Sequence, residues 1–299
     1  MSKPANAIIE LADFAKAEGM EFLYIQSPTK LDENGEILLN GEENHMNENA
    51  DDLLLQLTNA GVETYDLREY MAKTPEQIEE YFFRTDHHWN FTGAFTAYQL
   101  ISKELCRRLG DRNIELSHID INNWESYTLK NWMLGSRGRR TGAFFAGTDD
   151  ITYYLPKFET KMNCNIPYTE DSPLYYEGNF EEAFIRREYI SGKRPDLFNS
   201  SPYCMYIGED YILEQIRSES AKNDLKICFV RDSFVTPVIT FLSTEFKYID
   251  SIDPRRSDDF NVAQYIRETK PDVVIVMLSP TVLNAYTQYS DFGVKALVG

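Results

Sequence analysis

The most constraining feature of this sequence is the alternation of short apolar segments with helical patterns near both ends of the chain. Near the N-terminus, residues 20–26 and 62–67 have the composition of strands, and helical patterns at residues 8–16 and 53–57 precede them. Strands joined by helices can pair in parallel, with the helices covering both faces of the sheet. The alternation therefore predicts an α/β fold with a mainly parallel sheet.

The same alternation returns in the last third of the chain. The strands are predicted at residues 225–230, 246–252 and 272–278, and the helices at residues 209–219, 234–242 and 260–269. Strands that follow one another in this way, each after a helical crossover, lie parallel in one sheet. The C-terminal part is therefore predicted to contribute three consecutive parallel strands.

Residues 111–200 interrupt the pattern. They are rich in Tyr, Trp, Asn and Gly, with short β-like pieces at residues 152–155 and 183–190. Connections of this kind often carry substrate-contacting loops. We predict one domain over residues 1–299, a three-layer α/β/α sandwich, in which residues 111–200 form an insertion over the edge of the sheet.

The composition excludes several classes of function. The net charge of −18 repels nucleic acid phosphates and anionic lipid surfaces at long range, so no nucleic acid partner is expected. No run of 18 apolar residues occurs, so the chain is not expected to span a membrane, and its start has no signal-peptide hydrophobic region. The four cysteines permit disulfides but form no CxxC pair, and neither a metal nor another cofactor is predicted.

Ser233 lies between a predicted strand and a predicted helix, in the segment CFVRDSFVTP. A serine at such a junction presents its hydroxyl at the carboxyl end of a parallel sheet, where ligands bind. The free backbone N–H groups of the following helix can stabilise an oxyanion. Pro237 is tolerated only in the first helical turn, so the helix must begin near Ser233. The alternative is that Asp232 or Ser233 simply caps this helix.

A second polar group is Asp86-His87-His88-Trp89, in the loop before a helix predicted at residues 92–109. In an extended loop, residues two apart face the same side, so Asp86 and His88 are expected together and His87 is expected to point away. A carboxylate beside His88 would fix its tautomer. A structural histidine pair and a divalent-metal site are the alternatives, although a metal site needs further ligands and no second histidine cluster occurs.

Three segments carry a resemblance to a known family: TDHHWNFTGAFTAYQLI, RDSF after a buried strand, and FKYIDSIDPRR. They resemble the DHHW protein family, which is related to the SGNH-hydrolase-like alginate O-acetylation proteins. The resemblance covers most of residues 15–280 and implies an SGNH-like fold. It also implies an Asp-x-His pair and a later serine nucleophile, which are Asp86, His88 and Ser233 in this chain.

Two further residues are weaker candidates for binding substrate or an oxyanion. The family's glycine-containing oxyanion segment corresponds to YIGED, which suggests Gly208. Arg255 follows the strand after Ser233 at the same end of the sheet, where it would hold a polar substrate group or form a salt bridge. Arg231 stands where a GDS motif has glycine, and the segment GSRGRRTGAFF would form a sugar-binding rim or solvated surface.

The function implied by the resemblance is acyl transfer by a Ser–His–Asp enzyme. It would be an O-acetyltransferase or acetylesterase that acts on a cell-surface polysaccharide, with a membrane-bound O-acyltransferase as a possible partner. The implied location is extracytoplasmic, at the membrane or cell surface, with the native anchor absent from this chain; the alternative is cytoplasmic. A catalytically inactive glycan-binding module and a metal-dependent phosphoesterase remain as alternative functions.

Overall fold

A computed structural model of the chain describes residues 1–31, 44–110, 112, 114, 116–193, 196–283 and 285–298. The strands are β1 Glu21–Gln26, β2 Thr64–Asp66, β3 Trp124–Met133, β4 Asp149–Pro156, β5 Met162–Ile166, β6 Leu174–Gly178, β7 Leu213–Ser218, β8 Lys226–Arg231, β9 Tyr248–Ile252 and β10 Val273–Leu278. The helices are α1 Lys3–Ala17, α2 Met46–Asn59, α3 Arg68–Met71, α4 Pro75–Tyr81, α5 Phe91–Leu109, α6 Ser136–Thr141, α7 Ala143–Ala146, α8 Phe180–Phe184, α9 Val235–Leu242, α10 Val262–Thr269 and α11 Lys295–Val298.

Eight strands form one sheet in the order β2-β1-β10-β8-β9-β7-β5-β6. The strands from β2 to β9 in this order are parallel to their neighbours. The last three, β7, β5 and β6, join the same sheet by antiparallel pairing. Strands β3 and β4 form a separate two-stranded hairpin. The predicted α/β fold with a mainly parallel sheet is therefore confirmed.

The sheet is buried on both faces. Leu23 and Ile25 of β1 pack in a core with side chains of α5 and α9. The alternate residues Phe22 and Tyr24 pack in a second core with α1, α2 and α10. Because successive strand side chains point to opposite faces, a strand covered by helices on both sides is apolar along most of its length, as β1, β8 and β10 are. This arrangement is the predicted three-layer sandwich.

The prediction of a helix at residues 209–219 is wrong. Residues 213–218 form β7, which pairs with β9 and β5 in an antiparallel register. Leu213 and Ile216 are three residues apart, a spacing that fits one helical face. In β7 that odd separation places them in the two different cores on opposite faces of the sheet. The apolar spacing that resembles one face of a helix therefore reflects burial on the two opposite faces of a strand.

The β-like piece predicted at residues 183–190 is mostly helical, and its β pairing is limited to an isolated bridge between Ile185 and Tyr206. Helix α8 ends at Phe184, and a 3-10 turn follows at Arg187–Tyr189. The start of α8 is set by a capping box. The Asn179 side chain accepts a hydrogen bond from the Glu182 backbone, and the Glu182 side chain accepts one from the Asn179 backbone. The β-like piece at residues 152–155 lies within β4.

Within the described residues, no helix has the length and apolar character needed to cross a lipid bilayer. All four cysteines lie in this part of the chain and have free thiols. Cys228 is buried in β8, as its apolar neighbours predict.

Candidate active site

Ser233 lies in the three-residue gap between β8 and α9, at the carboxyl end of the central parallel strands, and its side chain is half-buried. The fully buried Asp232 carboxylate shapes this turn, because it accepts from Phe234 N at 3.0 Å and from Ser279 N at 2.7 Å. The turn is thereby tied to the end of β10. Phe234 occupies the N-cap position of α9 without a side-chain cap bond, so Ser233 does not cap this helix.

His88 and Asp86 come from the loop between α4 and α5. His88 Nε2 lies 2.7 Å from Ser233 Oγ, and His88 Nδ1 lies 2.7 Å from Asp86 Oδ1. The Asp86 carboxylate requires a proton on Nδ1, which leaves the Nε2 lone pair for the serine hydroxyl. The structure therefore brings the three residues predicted from the sequence into one hydrogen-bonded chain with the geometry of a nucleophile, a base and an orienting acid.

The loop is held at both of its ends. Asn90 caps α5 by accepting from Gly93 N at 2.9 Å, and an isolated bridge pairs Phe82 with Trp89. Trp89 is fully buried, and its indole N–H donates to the carbonyl of Phe234 at 3.0 Å. This bond links the histidine loop to the turn that carries Ser233, which explains why an aromatic residue with a donor occupies this buried position.

Asp86 is itself held by a segment that the sequence did not connect with it. Ser136 N donates to Asp86 Oδ2 at 2.6 Å, and Gly135 packs so closely that an added Cβ would lie 2.4 Å from Asp86 Cβ. Burial alone would raise the pKa of Asp86, but the hydrogen bond and the charge of His88 hold it well below its usual range. The carboxylate is therefore ionised over the whole working pH range.

His87 does not point away from the site, contrary to the prediction. Its ring centroid lies 3.8 Å from that of His88, and its Nδ1 lies 2.9 Å from Ser136 Oγ. The loop turns locally, so the alternation expected of an extended segment does not hold. Burial and the neighbouring His88 lower the pKa of His87 to about 4, which makes its ring neutral near pH 7.

Tyr203 is a site residue that the sequence reasoning missed. Its ring stacks on that of His88 with centroids 4.0 Å apart and an interplanar angle of 13°. Its hydroxyl donates to the backbone carbonyl of Ser233 at 3.0 Å. One buried side chain thus supports both the imidazole and the serine turn. It lies in a 3-10 turn, Pro202–Met205, and no periodic or motif signal marks it in the sequence.

An open cavity of about 550 Å³ lies over these residues, and Ser233, His88, Gly208 and Arg255 all line it. Gly208 has a φ of 116°, which favours glycine. Among the hydrogen bonds between described residues, none engages the backbone N–H of Gly208 or of Ser233. Both weaker candidates therefore lie at the cavity of Ser233, and their roles remain predictions.

Arg255 is not free to pair fully with a substrate, because it is bound within an ion cluster beneath the cavity. Its guanidinium donates to Asp253 Oδ1 at 2.9 Å and to Asp210 Oδ2 at 3.0 Å. Arg255 therefore lines the cavity and also forms a salt bridge, the two alternatives predicted for it. Arg256, which is about half exposed and also lines the cavity, lies 3.7 Å from Asp210.

Arg231, which replaces the glycine of a GDS motif, lies at the centre of the same ion cluster. It is fully buried and donates to Asp210 Oδ1 at 2.6 Å, to Asp253 Oδ2 at 3.2 Å and to Glu214. Burial raises the pKa of Glu214 to about 7 despite this arginine. The side chain of Arg231 therefore lies in the interior of the protein, below the turn that carries Ser233.

The metal alternative rests on the same loop. Ligand atoms of Asp86, His87 and His88 lie within 4.8 Å of one another. Both ring nitrogens of His88, however, already engage Asp86 and Ser233. His45 and His118 pack elsewhere, beside Glu48 and Phe158 respectively. Within the described chain this loop is thus the one place where such ligands gather, and a two-metal site would need a further cluster.

The comparisons with known proteins agree with the fold. Residues 1–123 match the family model of the SGNH hydrolase-like domain of acetyltransferase AlgX. Among solved structures, Bacillus cereus PatB1 with a sulfonyl adduct is 22% identical, with a TM-score of 0.75 over 96% of this chain and 90% of that chain. No curated protein sequence matches the chain.

Two further solved structures are similar. A DHHW family protein from Eubacterium siraeum is 18% identical, with a TM-score of 0.66 over 99% of this chain and 89% of that chain. The O-acetyltransferase domain of Pseudomonas putida AlgJ is 13% identical, with a TM-score of 0.50 over 94% of this chain and 83% of that chain. The predicted resemblance to DHHW and SGNH-hydrolase-like proteins is confirmed, and at these identities the shared feature is the fold.

Proposed function

We propose that this chain is a serine O-acyltransferase or esterase that acts on acyl groups of a cell-surface carbohydrate outside the cytoplasm. The observation that carries the proposal is the continuous hydrogen-bonded chain from Asp86 through His88 to Ser233 Oγ, at the floor of an open cavity. A capping or purely structural serine has no need of a histidine that is oriented by a carboxylate. Nucleophilic catalysis requires this arrangement.

The reaction would proceed in two balanced steps. Ser233 Oγ attacks the ester carbonyl while His88 Nε2 takes its proton, and the departing alcohol then receives that proton from the imidazolium. An acyl-serine remains. Water or a sugar hydroxyl next attacks this ester, giving its proton to His88, which returns it to Ser233 Oγ. Water as the acceptor makes the protein an esterase, and a sugar hydroxyl makes it a transferase.

The negative oxygen formed in each step needs hydrogen-bond donors. The backbone N–H groups of Ser233 and Gly208 belong to residues that line the cavity and are not used by other described residues. Arg255 lies at the same cavity and adds positive charge there, although Asp253 and Asp210 balance much of it. We assign the oxyanion role to the two N–H groups and a substrate-orienting role to Arg255.

The carbohydrate substrate and the extracytoplasmic location are those implied by the resemblance to the alginate O-acetylation proteins. The family model that matches residues 1–123 describes an acetyltransferase, and AlgJ contributes an O-acetyltransferase domain of the same fold. The open, polar cavity suits a sugar better than a buried lipid chain, since it is lined by side chains such as Ser201, Glu209 and Arg256. A membrane-bound O-acyltransferase that supplies the acyl group is the partner proposed with this function.

The test is Ser233→Ala, with Ser201→Ala as the matched control in the same cavity. Ser233→Ala should reduce hydrolysis of a small activated acetyl ester by at least about 1,000-fold, whereas Ser201→Ala should retain it. Both variants should keep the melting temperature of the parent, because neither serine side chain makes a capping hydrogen bond.

A sulfonyl fluoride probe and mass spectrometry provide a second readout that does not depend on the natural acyl donor. The probe should label Ser233 in the parent protein and should fail to label Ser233→Ala. His88→Gln should also abolish labelling, because the hydroxyl then lacks its base. Labelling of another serine, or undiminished labelling of His88→Gln, would contradict the proposed mechanism.

A further inference from the structure

An exposed tip lies beside the Asp86 loop and has no part in the chemistry proposed above. It consists of residues 135–147, which form α6, α7 and the turns around them, and is called the 135–147 tip below. Phe144 and Phe145 at its end are 103% and 86% exposed, the highest values among large apolar side chains of the described residues. Single exposed apolar residues are ordinary, but two adjacent and fully exposed phenylalanines indicate a contact surface.

The charge of the tip is opposite to that of the whole chain. The net charge is −18, yet residues 134–148 contain three arginines and no acidic residue. Arg137 and Arg140 are exposed, whereas Arg139 is held by the backbone carbonyls of Leu134 and Ser200. An exposed aromatic pair next to exposed guanidinium groups is the combination that binds the interface of an anionic bilayer.

The tip is also braced against the body of the protein. At its start, Ser136 N donates to Asp86, and at its end the Arg84 guanidinium donates to the carbonyls of Ala146 and Thr148. Helix α6 is six residues long, so it spans only about 9 Å from the loop of the catalytic histidine. A surface bound by Phe144 and Phe145 would therefore hold the cavity at a defined short distance.

We propose that the 135–147 tip docks the protein on a lipid bilayer with anionic headgroups, with Phe144 and Phe145 at the acyl boundary and Arg137 and Arg140 against lipid phosphates. The acidic remainder of the surface is repelled from such a bilayer, so the charge distribution orients the molecule with this tip toward it. Screening limits that repulsion to within about 10 Å at moderate ionic strength, so the tip alone needs to make contact. Docking of this kind places the mouth of the cavity close to membrane-borne acyl donors, and it does not depend on the chemistry of Ser233.

The experiment measures co-sedimentation of the full chain with phosphatidylcholine vesicles, alone or mixed equally with phosphatidylglycerol. We expect binding to the mixed vesicles, weakened by salt, and little binding to phosphatidylcholine alone. Phe144→Ser with Phe145→Ser, and Arg137→Gln with Arg140→Gln, should each reduce the binding constant by about tenfold or more. Leu55→Ser, which removes a 60% exposed apolar side chain from α2, is the matched control and should bind like the parent.

A second readout reports insertion directly. In Phe144→Trp, the new indole should shift its emission to the blue on mixed vesicles and be quenched by brominated lipid. Ser233→Ala should bind vesicles like the parent, which separates docking from catalysis, and equal melting temperatures verify folding of every variant. Equal loss in Leu55→Ser would overturn the proposal. A second result would also overturn it. If the phenylalanine variant bound vesicles like the parent but turned over long glycans more slowly than small esters, the tip would be a glycan-binding surface.

Discussion

Asp86 is the residue whose contacts explain most of the geometry of the site. It accepts from the ring and the backbone of His88, at 2.7 Å and 3.0 Å, and from Ser136 N at 2.6 Å. These bonds fix the rotamer of the carboxylate, the tautomer of His88 and the distance to the 135–147 tip together. A single ionised side chain therefore orders two backbone segments, the histidine loop and the start of the 135–147 tip, and its loss would disturb both.

His87 gives the site a measurable pH dependence of stability. Its folded pKa of about 4 lies below its ordinary value of 6.5, so the unfolded state binds a proton that the folded state resists. The free energy of unfolding should therefore fall as the pH drops from about 6.5 toward about 4. The raised pKa of Glu214 acts in the opposite direction in every variant, so the test is a difference: between pH 7 and pH 5, urea unfolding should show that the parent loses stability relative to His87→Gln.

The control for this prediction is His45→Gln, since His45 lies on the exposed start of α2 beside Glu48. Its substitution should leave the pH dependence as in the parent. The lowered pKa of Asp86 acts in the same direction, but its contribution is lost only below its ordinary pKa of 3.8. A His87→Gln variant whose stability changes between the two pH values as much as that of the parent would contradict the buried, neutral state of His87.

At the scale of elements, burial on both faces decided which strands could be predicted. Strands β1, β8 and β10 are apolar at nearly every position, because helices cover both of their faces. A short apolar run of this kind indicates a buried strand. Strand β7 carries Glu214 in the interior, with its charge balanced by Arg231, so its sequence looks like a polar helix. Its ion partner comes from a distant strand, which no local pattern reveals.

The residues of the candidate site also divide into those that local sequence patterns predict and those that they do not. Ser233 and the segment from Asp86 to His88 adjoin regular elements. Their positions could therefore be predicted from the end of a strand and the start of a helix. Tyr203 and Ser136 come from the irregular region or its border, and they join the site only through tertiary packing. The close approach of Gly135 to Asp86 is equally invisible in a sequence, where a glycine next to Ser and Arg suggests a solvated loop.

Gly135 supplies a test of this contact between elements. Its φ is −73°, so alanine is conformationally acceptable there, but the added Cβ would lie 2.7 Å from Asp86 Cα and 2.4 Å from Asp86 Cβ. Gly135→Ala must push the histidine loop or α6 away. We expect a loss of about 1–3 kcal/mol in the free energy of unfolding, together with lower turnover of a small ester.

Ser136→Ala is the matched variant for that experiment. It keeps the backbone N–H that donates to Asp86 and removes only the hydroxyl that meets His87. It should retain most of the turnover and lose about 1 kcal/mol or less. A Gly135→Ala variant that is as stable and active as Ser136→Ala would show that the loop does not need this close approach.

At the scale of the whole molecule, an ion cluster joins the parallel and antiparallel parts of the sheet. Asp210 precedes β7 and Glu214 lies in it, Arg231 ends β8, and Asp253 and Arg255 follow β9. The cluster therefore lies where pairing changes from parallel to antiparallel, directly below the cavity. We infer that it holds the two parts of the sheet in one register under the turn that carries Ser233.

Arg231→Met tests this role. The substitution fills the space with apolar atoms but leaves the buried carboxylates of Glu214 and Asp253 without their central cation. Removing one partner of a buried ion pair costs about 3–5 kcal/mol, so urea unfolding at neutral pH should show a loss of that size. The deficit should shrink as the pH is lowered, because the abandoned carboxylates then bind protons and no longer carry buried charge.

Two further variants separate this cluster from ordinary surface charge. Arg267→Met removes the partly exposed pair with Glu18 and should cost less than about 1 kcal/mol. Combining Arg231→Met with Glu214→Leu removes a fully buried acid together with its cation, so it should restore part of the lost stability. If Arg231→Met were as stable as Arg267→Met at neutral pH, apolar packing alone would have to hold the two parts of the sheet together.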